Sequence, residues 1–349
     1  MSERITITRP DDWHLHLRDG EWLPLLVGHT AREFARAIVM PNLKTPVTTT
    51  AAALAYRERI RAARPAAGQP GSDFEPLMTL YLTDSMSADE IDAAADSGAV
   101  HGVKLYPAGA TTNSDDGVTD IARAHDALAR MAERGLVLQV HGEVTRADVD
   151  VFDREARFID EVLAPIVEGF PTLKVVLEHI STADGADFVL GAREGVAATL
   201  TPQHLLMERN DLFVGGLRPH HYCLPVLKHR RHRDRLREVI ASGSPRLFLG
   251  TDSAPHARGD KESACGCAGI YSAHAALGLY AEAFEAAGAL DRLEGFASFH
   301  GADFYGLPRN EGVVTLVRDA VTIPASFPVG DRGLIPLRAG GTITWRSET

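Results

Sequence analysis

Short apolar runs recur along the whole chain, and polar residues do not alternate within them. Runs of this kind are typical of parallel strands that are buried on both faces. They predict eight strands, near residues 13–16, 37–40, 77–82, 103–105, 137–140, 174–177, 197–200 and 247–249.

The segments between these runs have helical periodicity. Apolar residues recur at three- and four-residue steps at Ile121, Ala124, Leu128 and Met131, and again at Ala156, Ile159, Leu163 and Ile166. Pro165 is expected to kink the second of these helices. A glycine separates a helical pattern from the next strand, where a left-handed cap is favoured, at Gly98, Gly135, Gly169, Gly195 and Gly243.

Alternation of this kind predicts an α/β fold, and eight strands predict a (β/α)8 TIM-type barrel. A doubly wound open sheet is the alternative, but no glycine-rich phosphate loop follows the first strand. We expect a single domain over residues 1–349, with a barrel core at about 9–306 and a C-terminal extension at about 307–349. The segment 202–229 is rich in His, Pro and Gly, and loops of that length are usually functional or disordered.

The composition argues against several classes of partner. A net charge of −11 is unfavourable for nucleic acid, since phosphate contacts need a basic surface. No apolar run approaches the ~18 residues of a membrane helix, and the first residues lack the apolar core of a signal peptide. Three cysteines cannot form a disulfide framework and fit a reducing compartment. We therefore expect a cytoplasmic protein without a membrane span.

Six side chains able to take part in metal binding stand at the ends of predicted strands. They are His14, His16, Lys104, His141, His179 and Asp252. Taken singly, each has an ordinary explanation, such as a packed histidine, a lysine at the barrel rim or an N-cap aspartate. The carboxyl ends of parallel barrel strands meet at one mouth, where such barrels carry out their chemistry. Their shared placement therefore predicts a metal centre.

Lys104 is the unusual member of this set, because an ammonium group is not a metal ligand. A neutral lysine amine can add carbon dioxide, and the resulting carbamate could bridge two ions that lie ~3.5–4 Å apart. One ion would then be held by His14, His16 and Asp252, and the other by His141 and His179. Metal lowers the pKa of bound water to about 7, so a hydroxide could attack at neutral pH. Asp252 could carry its proton to a leaving nitrogen.

Five motifs resemble those of the bacterial single-domain dihydroorotases of the amidohydrolase superfamily. They are WHLHLRDG at 13–20, VMPNL at 39–43, KLYP at 104–107, VHGE at 140–143 and GTDSAPH at 250–256. The resemblance, from about residue 9 to 307, implies a barrel with two Zn²⁺ bridged by a hydroxide and by Lys104 as N6-carboxylysine. It further implies a homodimer that interconverts N-carbamoyl-L-aspartate and (S)-dihydroorotate in pyrimidine (UMP) biosynthesis.

The same resemblance implies a set of substrate contacts. The residues that would hold the substrate carboxylate are Arg18, Asn42 and His256, and the metal ligands His16 and His141 would also contact substrate. Thr111 and Thr112 match a mobile loop that closes over the site, and Leu224 and Ala268 match backbone contacts to the ring. Arg18 is expected on the strand face of His16, although a rim ion pair with Asp19 is the alternative.

Three other features receive ordinary interpretations. The Cys265–Gly266–Cys267 segment lacks a second cysteine pair, so it gives a poor signal for a metal or redox site. The basic run 228–233 is interpreted as the solvated face before a helix. His220 and His221 lie in the long segment without an assigned role.

Two rival functions remain open at this point. A dihydropyrimidinase would share the metals, but it would lack the carboxylate-binding set and the Thr111–Thr112 loop. An inactive relative that serves as an assembly scaffold would have lost metal ligands, whereas all six are present here.

Overall fold

The computed structural model describes residues 3–348, and within that range the strands form three sheets. The strands are β1 (Arg4–Thr8), β2 (Asp11–Leu15), β3 (Arg36–Val39), β4 (Glu75–Tyr81), β5 (Val100–Leu105), β6 (Val137–Val140), β7 (Val175–Leu177), β8 (Val196–Leu200), β9 (Leu247–Leu249), β10 (Val313–Thr322), β11 (Phe327–Val329), β12 (Arg332–Leu334) and β13 (Thr342–Glu348). Residues 1, 2 and 349, which belong to the predicted domain, lie outside the described range. The first two of them also belong to the N-terminal segment that was expected to lack a signal peptide.

Helices follow most of the strands. They are α1 (Leu23–Glu33), α2 (Thr50–Ala62), α3 (Ala88–Asp96), α4 (His125–Arg134), α5 (Arg154–Phe158), α6 (Ala164–Gly169), α7 (Ala183–Gly191), α8 (Pro202–Leu206), α9 (Arg230–Ala241), α10 (Arg258–Lys261), α11 (Ala276–Ala286) and α12 (His300–Tyr305). None of the helices between residues 3 and 348 has the length and apolar character needed to cross a membrane.

The eight central strands, β2 to β9, are parallel and lie side by side in chain order. The last strand returns to the first, because Leu15 pairs with Ser253 and the His16 N–H donates to the Ser253 carbonyl at 3.2 Å. All eight predicted strands are confirmed, each within about three residues. The fold is therefore a (β/α)8 TIM-type barrel of the α/β class, and the open-sheet alternative is wrong.

Seven of the eight barrel strands contribute to one apolar cluster, which places that cluster inside the barrel. Its strand residues are Trp13, Ile38, Leu77, Val137, Val176, Ala197 and Phe248. Tyr305 of α12 stacks on Trp13 with ring centroids 4.7 Å apart. The filled interior leaves the carboxyl ends of the strands as the place where polar side chains can gather.

The predicted helix punctuation is partly confirmed. Gly98, Gly135, Gly195 and Gly243 have φ between 62° and 81°, as left-handed caps require. The prediction for Gly169 is wrong, because this residue ends α6 without a left-handed φ and Phe170, with φ of −124°, caps the helix. The disturbance expected at Pro165 is a π-helical turn at Ile159–Leu163, which lies just before the proline.

The chain after the barrel packs back against its beginning. Strand β10 pairs antiparallel with both β1 and β13, which joins the C-terminal extension to the first residues of the chain. The strand-like character near residues 341–345 corresponds to β13. The segment 202–229 contains α8 and two short 3-10 turns, at Arg209–Leu212 and Pro219–His221, so it is more ordered than a plain loop.

Candidate active site

The two histidines of the His14-Leu15-His16 segment point to one place because side chains alternate along a strand. Their Nε2 atoms lie 3.1 Å apart, and both side chains are buried. Oδ1 of Asp252, beyond the end of β9, lies 3.3 Å from Nε2 of His14 and 3.1 Å from Nε2 of His16. Within residues 3–348, these atoms form one of two three-residue groups whose ligand atoms lie within 4.8 Å of one another.

A buried carboxylate behind this group fixes the backbone around it. Asp12 accepts hydrogen bonds from the Thr251 N–H at 2.9 Å, the Thr251 hydroxyl at 2.6 Å and the His14 N–H at 3.1 Å. Burial raises the pKa of Asp12 to about 7, although these hydrogen bonds oppose the shift. Asp252 follows Thr251 with φ of 45°, a conformation that few non-glycine residues adopt.

His179 and His141 occupy the adjacent part of the site. The His179 N–H donates to the Thr199 hydroxyl at 2.8 Å, which holds this residue at φ of 43°. The ring centroids of His141 and His179 lie 4.8 Å apart, and those of His14 and His179 lie 5.1 Å apart. All the predicted imidazole ligands are thus neighbours at the carboxyl ends of their strands.

Lys104 is fully buried and contacts the carboxylate of Glu178. Burial lowers the pKa of Lys104, although the negative charge of Glu178 opposes the shift. A lowered pKa favours the neutral amine, the only form that reacts with carbon dioxide. The placement of Lys104 therefore suits carbamate formation.

Glu178 was not predicted as a site residue. Its Oε1 lies 3.2 Å from Nδ1 of His14, and it belongs with His14 and His179 to the second compact group of ligand atoms. The available signal was its position beside His179 at the end of a buried strand, where an acidic residue needs a partner.

Burial and neighbouring charges together set the pKa values of these groups. Burial opposes protonation of His14, but Glu178 and Asp252 outweigh it and raise its pKa to about 9. Burial lowers the pKa of His16 to about 4. Burial alone would raise the pKa of Asp252, but His14 above all holds it well below its usual range. Asp252 is thus ionised at neutral pH.

The residues present fit a bound metal. One buried polar atom of the site, Nδ1 of His179, has no hydrogen-bond partner within residues 3–348, and Nδ1 of His14 and Oε1 of Glu178 have only each other, at 3.2 Å. Burying such atoms without partners is costly, and coordination would satisfy a set of this kind. Imidazole nitrogens with carboxylate oxygens are the donor set that suits zinc.

A second carboxylate that was not predicted supports His141. Oε2 of Glu143 lies 2.9 Å from Nε2 of His141, and both side chains are 1% exposed. A carboxylate on one ring nitrogen fixes the tautomer and leaves the other nitrogen to ligate metal. The two-residue spacing in His141-Gly142-Glu143 was the available signal, since it places an acidic residue close behind the candidate ligand.

Arg18 reaches the site differently from the prediction. Strand β2 ends at Leu15, so Arg18 does not share a strand face with His16. Its Nε donates instead to the Pro255 carbonyl at 3.0 Å, and its Nη2 lies 3.1 Å from Nε2 of His256. The alternative rim pair is also wrong, because Asp19 pairs with Arg59 at 2.8 Å.

Asn42 joins the histidine pair to the Thr111–Thr112 loop. Its Oδ1 lies 2.8 Å from Nδ1 of His16, and its Nδ2 donates to the Thr112 carbonyl at 3.1 Å. The Thr112 hydroxyl lies 3.4 Å from the Ala268 carbonyl oxygen. These contacts close the loop over a cavity of about 20 Å³, whose walls include the candidate metal ligands other than Lys104, together with Arg18, Leu224 and Ala268.

The glycines of this loop have different roles. Gly109 has φ of 74°, a conformation in which glycine is unstrained. A Cβ on Gly117 would lie 2.4 Å from the Tyr106 carbonyl oxygen, so this glycine is required for close packing. Gly117 therefore serves close packing and not flexibility of the loop.

The cysteines and the basic run 228–233 lie outside the site. Cys223, Cys265 and Cys267 are free thiols, and the sulfurs of the last two lie 3.8 Å apart. Most of the basic run begins helix α9, but Lys228 is buried and donates to the Val226 carbonyl at 3.0 Å. The solvated interpretation is wrong for Lys228.

Comparison with known proteins agrees with this geometry. The model of the amidohydrolase family matches residues 8–325. A dihydroorotase of Alkalilimnicola ehrlichii is 66% identical over 344 residues, which are 99% of each chain. The crystal structure of a Campylobacter jejuni dihydroorotase has a TM-score of 0.90 at 32% identity, and the match covers 100% of this chain and 98% of that one.

A third comparison extends the match beyond bacteria. A Saccharomyces cerevisiae dihydroorotase, crystallised with 5-fluoroorotic acid, has a TM-score of 0.89 at 32% identity and covers 99% of this chain and 98% of its own. Likeness of this extent along the full length, together with the strand-end ligands, shows the family. The chain belongs to the dihydroorotases, amidohydrolase-family enzymes that hydrolyse a cyclic amide bond.

Proposed function

We propose that the enzyme interconverts N-carbamoyl-L-aspartate and (S)-dihydroorotate for pyrimidine biosynthesis, with two zinc ions held at the strand ends. One observation carries the substrate assignment. Arg18 lines the same small cavity as the metal ligands, yet it forms no ion pair with a carboxylate anywhere in residues 3–348. A partly buried guanidinium without an anionic partner is a site for a carboxylate ligand.

The neighbours of Arg18 support a carboxylate ligand. Burial, followed by the positive charge of Arg18, lowers the pKa of His256 to about 2, so this imidazole is neutral. It can donate one hydrogen bond without adding charge. Arg18, Asn42 and His256 together would hold the substrate carboxylate. The yeast relative's complex with 5-fluoroorotic acid, a pyrimidine carboxylic acid, supports the same ligand class.

The first group of ligand atoms supports one half of the metal assignment, in which His14, His16 and Asp252 would hold one zinc ion. His141 and His179, whose ring centroids lie 4.8 Å apart, would hold the other, with carboxylated Lys104 between them. Bound zinc would supply activation of water at neutral pH and polarisation of the amide carbonyl. The carbamate nitrogen would keep one hydrogen. Glu178, whose carboxylate contacts the Lys104 nitrogen, is placed to accept a hydrogen bond from this N–H.

Asp252 is proposed to move the proton. In ring opening, its ionised carboxylate takes the proton from the attacking water and delivers it to the departing ring nitrogen. In ring closure the path runs backwards: the carboxylate takes the proton from the attacking ureido nitrogen and gives it to the departing oxygen. One further proton comes from solvent, because a dianion closes to a monoanion and water. The depressed pKa of Asp252 supports the ionised starting state that ring opening needs.

Closure of the Thr111–Thr112 loop is proposed to exclude water and to place the threonine hydroxyls on the substrate, while Leu224 and Ala268 contact the ring. The whole chain would act as one domain, which is supported by the pairing of β10 with β1. A cytoplasmic homodimer, which the family resemblance implies, completes the proposal. Sedimentation of the purified protein tests the dimer.

An activity assay tests the substrate assignment. Purified enzyme is given carbamoyl aspartate, dihydroorotate and, as a matched neutral ring, 5,6-dihydrouracil. We expect turnover of the first two and rates on dihydrouracil lower by about two orders of magnitude or more, because Arg18 would lack its partner. Faster turnover of dihydrouracil than of dihydroorotate would contradict the proposal and indicate a dihydropyrimidinase.

A further inference from the structure

A second, larger cavity adjoins the closed site. It has a volume of about 700 Å³, and Arg18 lines both this cavity and the small one that holds the metal ligands. His256 and Asn113 also line the larger cavity, which we call the vestibule. Residues proposed to bind the substrate carboxylate thus form the boundary between the two spaces.

The vestibule lies at the part of the site that must open. The closed site, at about 20 Å³, has room for roughly one water, so a substrate can enter only when its walls move. Asn113 follows Thr112 in the loop over the site, and its Nδ2 donates to the Asn42 carbonyl at 3.1 Å. Movement of this loop would therefore connect the vestibule to the metal ligands.

The charges around the vestibule have a positive excess. Its walls include four permanent cations and two acidic residues, namely Arg18, Lys44, Arg59 and Arg332 against Asp19 and Asp260. Arg59 is neutralised by Asp19 at 2.8 Å, and Arg332 by a contact with Glu21. Lys44 is exposed and forms no ion pair within residues 3–348. The unpaired wall charges are therefore Arg18 and Lys44 against Asp260.

This local sign is opposite to that of the whole chain, whose net charge is −11. An anion approaching such a chain is repelled over most of the surface. A concave region of positive charge raises the local concentration of anions and their rate of capture. The vestibule is thus a place where an anionic substrate can be held before the loop opens.

We propose that the vestibule is an anion-binding access site for the carboxylates of the substrate, and that Lys44 is its principal contact. The incoming molecule would bind first between Lys44 and Arg18 and then pass under the loop, with its carboxylate transferred to Arg18 and His256. This inference rests on the proposed carboxylate substrates. Lys44 takes no part in the chemical step, so it acts on capture and not on turnover.

Charge reversal at Lys44 tests this role. We compare Lys44→Glu and Lys44→Gln with Arg230→Glu, which makes the same change in net charge on the exposed first turn of α9. At about 10 mM salt, kcat/KM of Lys44→Glu for carbamoyl aspartate should fall about tenfold, through KM, with kcat near the wild-type value. Lys44→Gln should give a smaller loss, and Arg230→Glu a change below about twofold.

Two dependences distinguish electrostatic capture from structural damage. Carbamoyl aspartate carries two carboxylates and dihydroorotate carries one. The logarithm of the fold-decrease in kcat/KM should therefore be about twice as large for carbamoyl aspartate. The loss should also shrink at about 0.5 M salt, because screening shortens the range of the interaction. Damage to the fold would lower kcat for both substrates at every salt concentration.

The results can distinguish failure of the proposed function from failure of the access site. Wild-type enzyme without activity on carbamoyl aspartate would contradict the proposed function itself. An active wild type whose Lys44→Glu variant loses less than about twofold, loses kcat, or loses equally for both substrates at all salt concentrations would overturn the access site alone.

Discussion

The N–H of Asp252 donates to the carbonyl oxygen of His14 at 2.9 Å. This hydrogen bond is one of those that join the end of the last barrel strand to the first strand, and both residues contribute side chains to the same group of ligand atoms. Closure of the barrel therefore brings the ligand atoms of the candidate metal centre together. The carboxylate of Asp12 lies directly behind this junction.

Asp12→Ala should destabilise the protein. The substitution leaves the N–H groups of Thr251 and His14 buried without acceptors, at a cost of about 1–3 kcal/mol in the free energy of unfolding. Urea denaturation of chelator-treated protein measures this cost apart from metal binding. Asp126→Ala, at a side chain that is 95% exposed, is the control and should change stability by less than about 0.5 kcal/mol. Equal losses in the two variants would contradict the role of Asp12.

Lys104→Ala should lose metal and activity together. The variant lacks the amine from which the proposed bridging carbamate would form, so neither ion would keep its shared ligand. Elemental analysis and the dihydroorotate assay measure the two losses, and a short carboxylic acid added to the variant should restore part of both. A variant that keeps its metal and its activity would show that Lys104 is only a buried cation paired with Glu178.

Glu143→Gln should weaken metal binding while the fold is kept. Loss of the carboxylate removes the charge that orients His141 through Nε2, and such changes typically cost 10–100-fold in metal affinity. Competition with a chromophoric chelator measures the affinity. Glu161→Gln, at an exposed carboxylate outside the site, should bind metal as the wild type does. If both variants bind equally well, Glu143 does not position His141.

Arg18→Met should lower kcat/KM about 10–100-fold or more with metal content unchanged. A charge-assisted hydrogen-bonded pair contributes roughly 1.5–3 kcal/mol, and the side chain does not contact the metal ligand atoms. Steady-state kinetics with parallel elemental analysis gives both quantities. Normal turnover of carbamoyl aspartate by the variant would mean that the carboxylate binds elsewhere.

The pH dependence of kcat should be opposite in the two directions of the reaction that Asp252 is proposed to serve. Since the pKa of this carboxyl is depressed, the ionised form that ring opening needs is present at neutral pH and is lost as pH falls through that low pKa. Hydrolysis of dihydroorotate should therefore rise with pH to a plateau. Cyclisation consumes one proton from solvent, because a substrate with two carboxylates closes to a product with one and to water, so it should fall as pH rises. Asp252→Asn should abolish both directions.

The measurement for this prediction is kcat against pH in each direction. Metal content is determined at each pH, because loss of an ion at acid pH would lower both rates together. Parallel profiles at constant metal content would refute a shared proton path through Asp252, and His256 would be the next group to test.

The sequence was sufficient for the barrel because its strands are buried on both faces and read as continuous apolar runs. The same property located the candidate ligands His14, His141 and His179, since each stands where such a run ends. Glu178 and Glu143 lie next to or two residues after candidate ligands, but the sequence alone does not show their contacts with His14 and His141. Arg18 lines the cavity of the candidate ligands, although the argument from strand alternation was wrong because β2 ends before it.

The central claim is that two metal ions at the strand ends support the activity of this dihydroorotase. The most direct measurement is titration of chelator-treated, fully folded enzyme with zinc while hydrolysis of dihydroorotate is followed. The account predicts activity near zero without metal and an increase that stops at about two ions per chain. Full activity in protein that elemental analysis shows to contain only a trace of metal would contradict it.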